Sequence, residues 1–304
     1  MSRFGYTVLG FGGFTPAGGP GVWTDAAQTI NTNRYQCVTA GSSASAIIAG
    51  GSSTGNSEVW NGNSWSNAAD NLATSPVNSA QGGGTASSAI VIGGNRGGSA
   101  SQVCEIWNSG SGTWASGPDN TNSVFTVGAS AADSSTSAWV CGGYTGSAVG
   151  DKTNSLSGTT WSNKEDLPTG RLAMAANNTG SASDAAAMTG STGSLSAKNE
   201  RWTDDTWATD GADITTALTD SPAGFGQTSG GDVIVSHGEN ASGPSGDCFE
   251  FTNGSWTTGN TCLANIRNNY GGGPTGAGIT CGGYNETAGA FVDDTYTFAR
   301  AIST

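Results

Sequence analysis

Charge is scarce in this chain. Asp, Glu, Lys and Arg make up 11% of its 304 residues, and three are lysines. Acidic side chains outnumber basic ones 23 to 10, for a formal net charge of -13. No basic stripe offsets that field, so nucleic acid is excluded as a partner. There is one histidine, His237, which rules out metal centres built on two or three imidazoles. The six cysteines, Cys37, Cys104, Cys141, Cys248, Cys262 and Cys281, contain no C-x-x-C spacing. Zinc ribbons and dithiol redox motifs are thereby excluded. Long apolar runs are missing too. The longest are pieces such as "AIIA" at Ala46 and "AIVI" at Ala89, far below the ~20 residues of a membrane span. The opening "MSRFGYTVLGFGGF" has no long apolar core, so neither an export signal nor membrane insertion is expected.

What the chain has is glycine, 50 residues of it, about twice the ~7% average share. Ser, Thr, Asn and Ala fill much of the rest. Ten tryptophans argue against disorder, because disordered chains lack large aromatics. Short apolar runs divided by Gly, Ser and Asn turns indicate an all-β protein. Five of the cysteines sit in or beside such runs and read as small buried hydrophobes. Cys248 and Cys262, if they fall on neighbouring strands, are the pair best placed for a disulfide.

The aromatic residues recur in phase. Trp23, Trp65, Trp114, Trp161, Trp207 and Trp256 each follow a short turn, at steps of 42, 49, 47, 46 and 49 residues. An apolar run ending in glycine repeats between them: "AIIAGG", "AIVIGG", "AWVCGG", "AAMTG", "VIVSHG" and "GITCGG". A third segment lies between the glycine and the Trp: "SEVW", "CEIW", "TNSL", "NERW", "CFEF" and finally "DDTYTF". A weaker one precedes the glycine run, as in "RYQCVTAG" and "RLAMAAN". Each repeat thus holds four short strands, a to d, with hairpin turns such as "NGNS" and "TNGS" joining c to d.

Four-stranded units of this length predict a β-propeller. The last repeat has a, b and c but no d, while "GVWTDAAQTI" near the start is a d segment with nothing before it. The segment around Trp23 is therefore expected to complete the final blade, giving six blades over residues 20–304. Seven blades, with "YTVLGFGG" as an extra b strand, is disfavoured. Too few residues separate Gly13 from Trp23 to supply a strand c. Each d-strand Trp is expected to fill the layer between blades.

With the double glycine of strand b and the Trp of strand d in place, the sequence resembles the kelch-type propellers, like the central domain of galactose oxidase, over about residues 20–300. Departures are visible. Trp60, Trp107, Leu156, Trp202 and Phe251 replace the family's usual Tyr, and the double glycine becomes Thr189-Gly190 and His237-Gly238. The copper-radical chemistry known in that fold needs two His ligands, which this chain lacks. His237 reads as a tolerated substitution, and neither metal nor cofactor is expected.

Three of the seven arginines, Arg34, Arg171 and Arg267, stand at the start of segment a. A propeller puts them near the channel mouth, on the face of the d–a and b–c loops. Guanidinium forks bind carboxylates, so they are candidates for an anionic-sugar site. The competing reading is that they hold loop carbonyls and nearby acids. Residues 1–19 lie outside the repeats. Phe4, Tyr6, Val8, Leu9 and Phe11 make this segment a candidate docking arm toward a partner or neighbouring subunit, the alternative being an ordinary frayed terminus.

No opposed carboxylate pair, nucleophile elbow or sialidase-type Asp-box emerges, so an enzyme is not expected. In style, including the "RFGYTVLGFG" opening, the chain is similar to propeller proteins on marine bacteriophage particles. That resemblance implies a non-enzymatic virion protein within a larger assembly, anchored by its arm and offering its loop face to host-surface glycans. A glycan-processing enzyme, a kelch-type interaction scaffold and an extracellular or cytoplasmic setting are the alternatives.

Overall fold

The computed structural model describes residues 20–300, apart from 53, 75–76, 123–128, 178–183, 204, 210–211, 228–231 and 253. The candidate arm residues Phe4, Tyr6, Val8, Leu9 and Phe11 therefore lie outside the described residues. The described residues contain no α-helix, and their main elements are six four-stranded antiparallel sheets. In the first, Val38–Ser42, Ser45–Ala49, Ser57–Trp60 and Trp65–Asn67 pair in chain order as strands a to d. The inner strands of the next four are Gln81–Thr85, Ala129–Ser134, Ala175–Ala176 and Ala223–Gln227. The last sheet runs Tyr270–Gly272, Gly278–Cys281, Thr295–Ala299 and then Val22–Asp25, with Trp23 opposite Phe298. Each inner strand meets the inner strand of the next sheet, and the last meets the first. This is a β-propeller.

The d-strand tryptophans explain why short, weakly apolar strands suffice. Six buried clusters form, one between each pair of neighbouring sheets, and each contains or adjoins one d-strand indole. That Trp lies opposite the aromatic or Leu of strand c, as Trp65 does to Trp60 and Trp161 to Leu156. Strand b is packed on both faces and reads as a continuous apolar run. Volumes compensate across the layer. The fourth sheet's b strand is built of alanines, Ala185 to Ala187, where Trp139 and Trp202 fill the space.

Three of the six d-strand indole N–H groups share an acceptor position, while Trp161 donates to Pro118 O at 2.8 Å and Trp256 Nε1 has no partner among the described residues. Trp65 donates to Thr295 Oγ1 and Trp114 to Ser57 Oγ, both at 2.9 Å, and Trp207 to Thr153 Oγ1 at 3.3 Å. In each case the acceptor is the first residue of strand c in the preceding sheet. In the fifth sheet that residue is Cys248, and Trp23 Nε1, which packs in the same cluster, has no partner among the described residues.

Two left-handed positions per repeat organise the loops. The residues closing strand b both have positive φ: 68° and 82° at Gly50-Gly51, 60° and 100° at Thr189-Gly190, 62° and 92° at His237-Gly238. The first member carries a side chain in two sheets, as Thr189 and His237, although at Gly142 and Gly282 a Cβ would lie 2.6 and 2.5 Å from the linker carbonyls of Arg171 and Arg34. The second carries none, since a Cβ on Gly51 would lie 2.6 Å from Tyr35 O. Its N–H instead reaches the linker into the next sheet: Gly51 to Val77 O, Gly190 to Leu218 O and Gly283 to Arg34 O, each at 2.7 Å.

The other position lies two residues before strand a: Gln36, Ser79, Ala173, Ser221 and Asn268, with φ between 52° and 55°. Here the structure corrects the sequence reading. Strand a does not begin at the arginines. The left-handed residue breaks the extended chain, so Arg34, Arg171 and Arg267 belong to the d–a linkers. The kinks are bonded around the axis: Ser79 N to Gln36 O, Gln36 N to Asn268 O, Asn268 N to Asp220 O, and Ser221 N to Ala173 O.

His237 occupies the first position of its pair, and His is among the residues enriched at left-handed φ. It is fully buried, edge-on to Trp23 at 5.3 Å, with Nδ1 3.0 Å from Ser236 Oγ. Burial pushes its pKa down from 6.5 to about 3. As the pH falls below 6.5 the unfolded chain takes up a proton that the folded chain refuses. The stability linked to this residue is whole above pH 6.5 and falls by about 1.4 kcal/mol per pH unit toward pH 3. His237→Gly keeps the allowed backbone and should flatten that slope, read as the difference in urea midpoints between pH 7 and pH 5 for the two proteins. Separately, Cys248→Ser should give Trp23 its acceptor and raise stability by about 1 kcal/mol. An unchanged or lower midpoint would refute the assignment.

Candidate functional site

The three candidate arginines have different fates. Arg34 is fully buried in the linker entering the first sheet. Its Nη1 donates to Asn56 O at 2.8 Å and Gly50 O at 3.3 Å, and its Nη2 pairs with Glu58. Arg171 repeats this in the fourth sheet. Nη1 donates to Lys198 O at 2.9 Å and Thr189 O at 3.1 Å, and Nη2 meets Glu200 Oε2 at 2.5 Å. Burial pulls Arg171 below its usual pKa and pushes Glu200 above its own, against their mutual attraction. Neither guanidinium presents an edge to solvent. Both clamp a linker to strand c.

The sequence reading missed the carboxylate half of this device. A Glu stands two residues before the strand-c Trp in "SEVW", "CEIW" and "NERW", and that spacing was its signal. In the second sheet Glu105 receives Ala73 N at 2.6 Å from the linker, and Arg96, from the b–c hairpin, reaches it at 2.7 Å. In the third, Asn154 holds the position and accepts from Asn122 Nδ2 at 2.7 Å.

Arg267 is partly exposed and differs. Its Nη1 contacts Asp220 Oδ2 at 2.6 Å and Glu239 Oε2 at 2.9 Å, its Nη2 contacts Glu286 Oε2 at 3.1 Å, and it lies 5.3 Å from the Tyr284 ring centre. Burial and the neighbouring Asp220 raise the Glu239 pKa against the pull of Arg267. One guanidinium serves three carboxylates, so the cluster carries excess negative charge. The hairpin Tyr284–Asn285 and Ala290–Phe291 brings aromatic surface beside it. Phe291, 41% exposed, stacks on Tyr35 at 4.3 Å and meets Tyr284 edge-on at 5.6 Å. The structure thus does not gather the three arginines into one open site. It places Arg267 alone on the loop face, among acids and rings.

The opposite face, formed by the a–b and c–d turns, holds a depression of about 650 Å³ lined by the sixth, first, second and third sheets. Among the described residues no three His, Cys, Asp or Glu side chains converge on a shared metal position, and all six cysteines are buried free thiols. Cys262 lies in the linker after the fifth sheet's d strand and not on a neighbouring strand; it packs in the same cluster as Cys248, and both are free thiols.

Because Glu200 neutralises a fully buried guanidinium, Glu200→Ala should cost about 3–5 kcal/mol. The exposed Glu286→Ala should cost under about 0.5 kcal/mol. Chemical denaturation of both variants tests the distinction between clamp and surface charge.

No protein-family model matches the chain, and no curated protein matches it. Among solved structures it is similar to that of YjhT, with a TM-score of 0.71 and 12% identity over 88% of this chain and 95% of that one. At that identity the likeness speaks for the fold, a β-propeller.

Proposed function

We propose that this is a six-bladed propeller, closed by Val22–Asp25, acting as a non-enzymatic recognition protein. Its setting in this reading is the surface of a virus particle, anchored through the N-terminal segment with the loop face turned toward host-surface glycans. The observation that carries the recognition role is the Arg267 cluster. There the exposed ring of Phe291 adjoins polar groups in fixed positions, the combination that lets a site stack on one face of a ligand and hydrogen-bond its edges. Its excess of carboxylates favours neutral or amino sugars over the acidic sugars expected from the arginines alone.

Topology supports the anchoring half. Val22 pairs with Ala299 at the c–d end of the sixth sheet, so the chain preceding it attaches on the side opposite the loop face. An arm gripping a particle there would leave the Arg267 face outward.

A chain lacking residues 1–15 should fold with an unchanged melting temperature yet fail to co-purify with particles. Phe291→Ala should weaken binding on a glycan array about tenfold or more while leaving co-purification intact. Normal co-purification without the arm removes the anchoring role. Array binding indifferent to Phe291 removes the loop-face role.

A further inference from the structure

The depression on the turn face differs from the Arg267 cluster in its lining. Five hydroxyl side chains line it: Ser42, Ser45, Thr85, Ser87 and Ser109. The remaining wall is Gly41, Gly84, Gly273, Ala86, Ala132 and Pro274, with one ionisable group, Asp133. Among the described residues no aromatic or basic side chain contributes.

Asp133 is there for a structural reason. The inner strands of the first two sheets run unbroken into their turns, with Ser42 opposite Ser45 and Thr85 opposite Ser88. In the third sheet the register shifts between Ala132 and Ser134. The bulge adds one residue at the rim, and that residue is the carboxylate. Bulges recur beside functional sites because they re-aim a side chain. Asp133 keeps one oxygen engaged, accepting from Ser137 Oγ at 3.2 Å.

The rim is also fixed before any ligand arrives. Ser43 N donates to Ala277 O, Ser135 N to Ser88 Oγ and Gly226 N to Gly273 O, all at 3.0 Å, tying turns of neighbouring sheets together. A preformed concavity spares a ligand the cost of ordering it, and the volume lies in the range of small-molecule sites.

We propose that this depression is a second binding site and that its ligand is an uncharged polyhydroxylated molecule, a short neutral oligosaccharide. The chemistry selects that class. Protein hydroxyls both donate and accept, as sugar hydroxyls do, and the single carboxylate adds one strong acceptor. An anion finds no positive partner there in a chain of net charge -13. A metal ion finds one carboxylate instead of a ligand set. An apolar ligand finds no large hydrophobic wall. The site uses different residues from the loop-face reading and lies on the side from which the N-terminal segment leaves, so in the anchored reading its ligand belongs to the particle side of the ring.

The test is titration of the full chain with maltotetraose, cellotetraose and chitotetraose, followed by saturation-transfer NMR and calorimetry. Ser87 is exposed on a turn, so Ser87→Trp should obstruct the depression without disturbing the core. Measured in the Phe291→Ala background, which removes the loop-face site, it should weaken the remaining binding at least tenfold and Asp133→Ala should weaken it about fivefold, all with melting temperatures within a degree. No binding of any of the three sugars at 10 mM (roughly −2.7 kcal/mol) overturns the proposal. So does binding that Ser87→Trp and Asp133→Ala leave intact in that background, or that Phe291→Ala by itself abolishes.

Discussion

The structure depends on a backbone conformation that most residues avoid. Where strand b ends, two consecutive residues turn left-handed, and the second gives its N–H to the linker entering the next sheet. This bond joins neighbouring sheets through main chain alone. It requires close approach, which is why Gly51 has no room for a Cβ. The kinks before strand a make a second, inner set of bonds of the same kind. A chain that spends so much of its composition on glycine is obtaining sheet-to-sheet registration that side chains would otherwise supply.

Given that frame, the tryptophans can be few and regularly spaced. Each indole covers one interface, and strands of four or five residues need contribute only a short apolar run beneath it. The fourth sheet shows the balance best. Its alanine b strand would make a poor core in isolation, but Trp139, Trp202 and Trp207 converge over it, with ring centres 5.3 to 6.4 Å apart. Packing is satisfied by the sum across the interface, so individual positions drift while the layer persists. That freedom lets a solved structure share this fold at 12% identity.

The same logic decides what was legible from sequence. Trp spacing and the glycine-terminated runs are periodic, and they located the strands b, c and d. Segment a was placed too early. A left-handed residue such as Gln36 or Ala173 carries no compositional mark, and "RYQC" or "RLAM" looks extended. The arginines were visible, but their partners were not. Glu58 and Glu200 are separated from them by 24 and 29 residues, and only the folded sheet reveals that linker and strand c share a carboxylate. Nothing periodic announces the turn-face depression either, since it is assembled from turns of several sheets and one bulge.

Scarcity of charge follows from how the charges are used. Three of the seven arginines, Arg34, Arg96 and Arg171, are buried against a strand-c glutamate, where each ion pair with its carbonyl bonds holds a linker in one conformation. A buried pair adds little net stability over an apolar substitute, but breaking it is costly. It therefore acts as a constraint on geometry more than as a source of binding energy. With those guanidiniums withdrawn from solvent, the two faces of the ring are left chemically distinct: one rich in rings and acids around Arg267, the other a hydroxyl-lined hollow with a single carboxylate. An anionic ligand suits neither face, and the division follows from the positions of the arginines and not from their number.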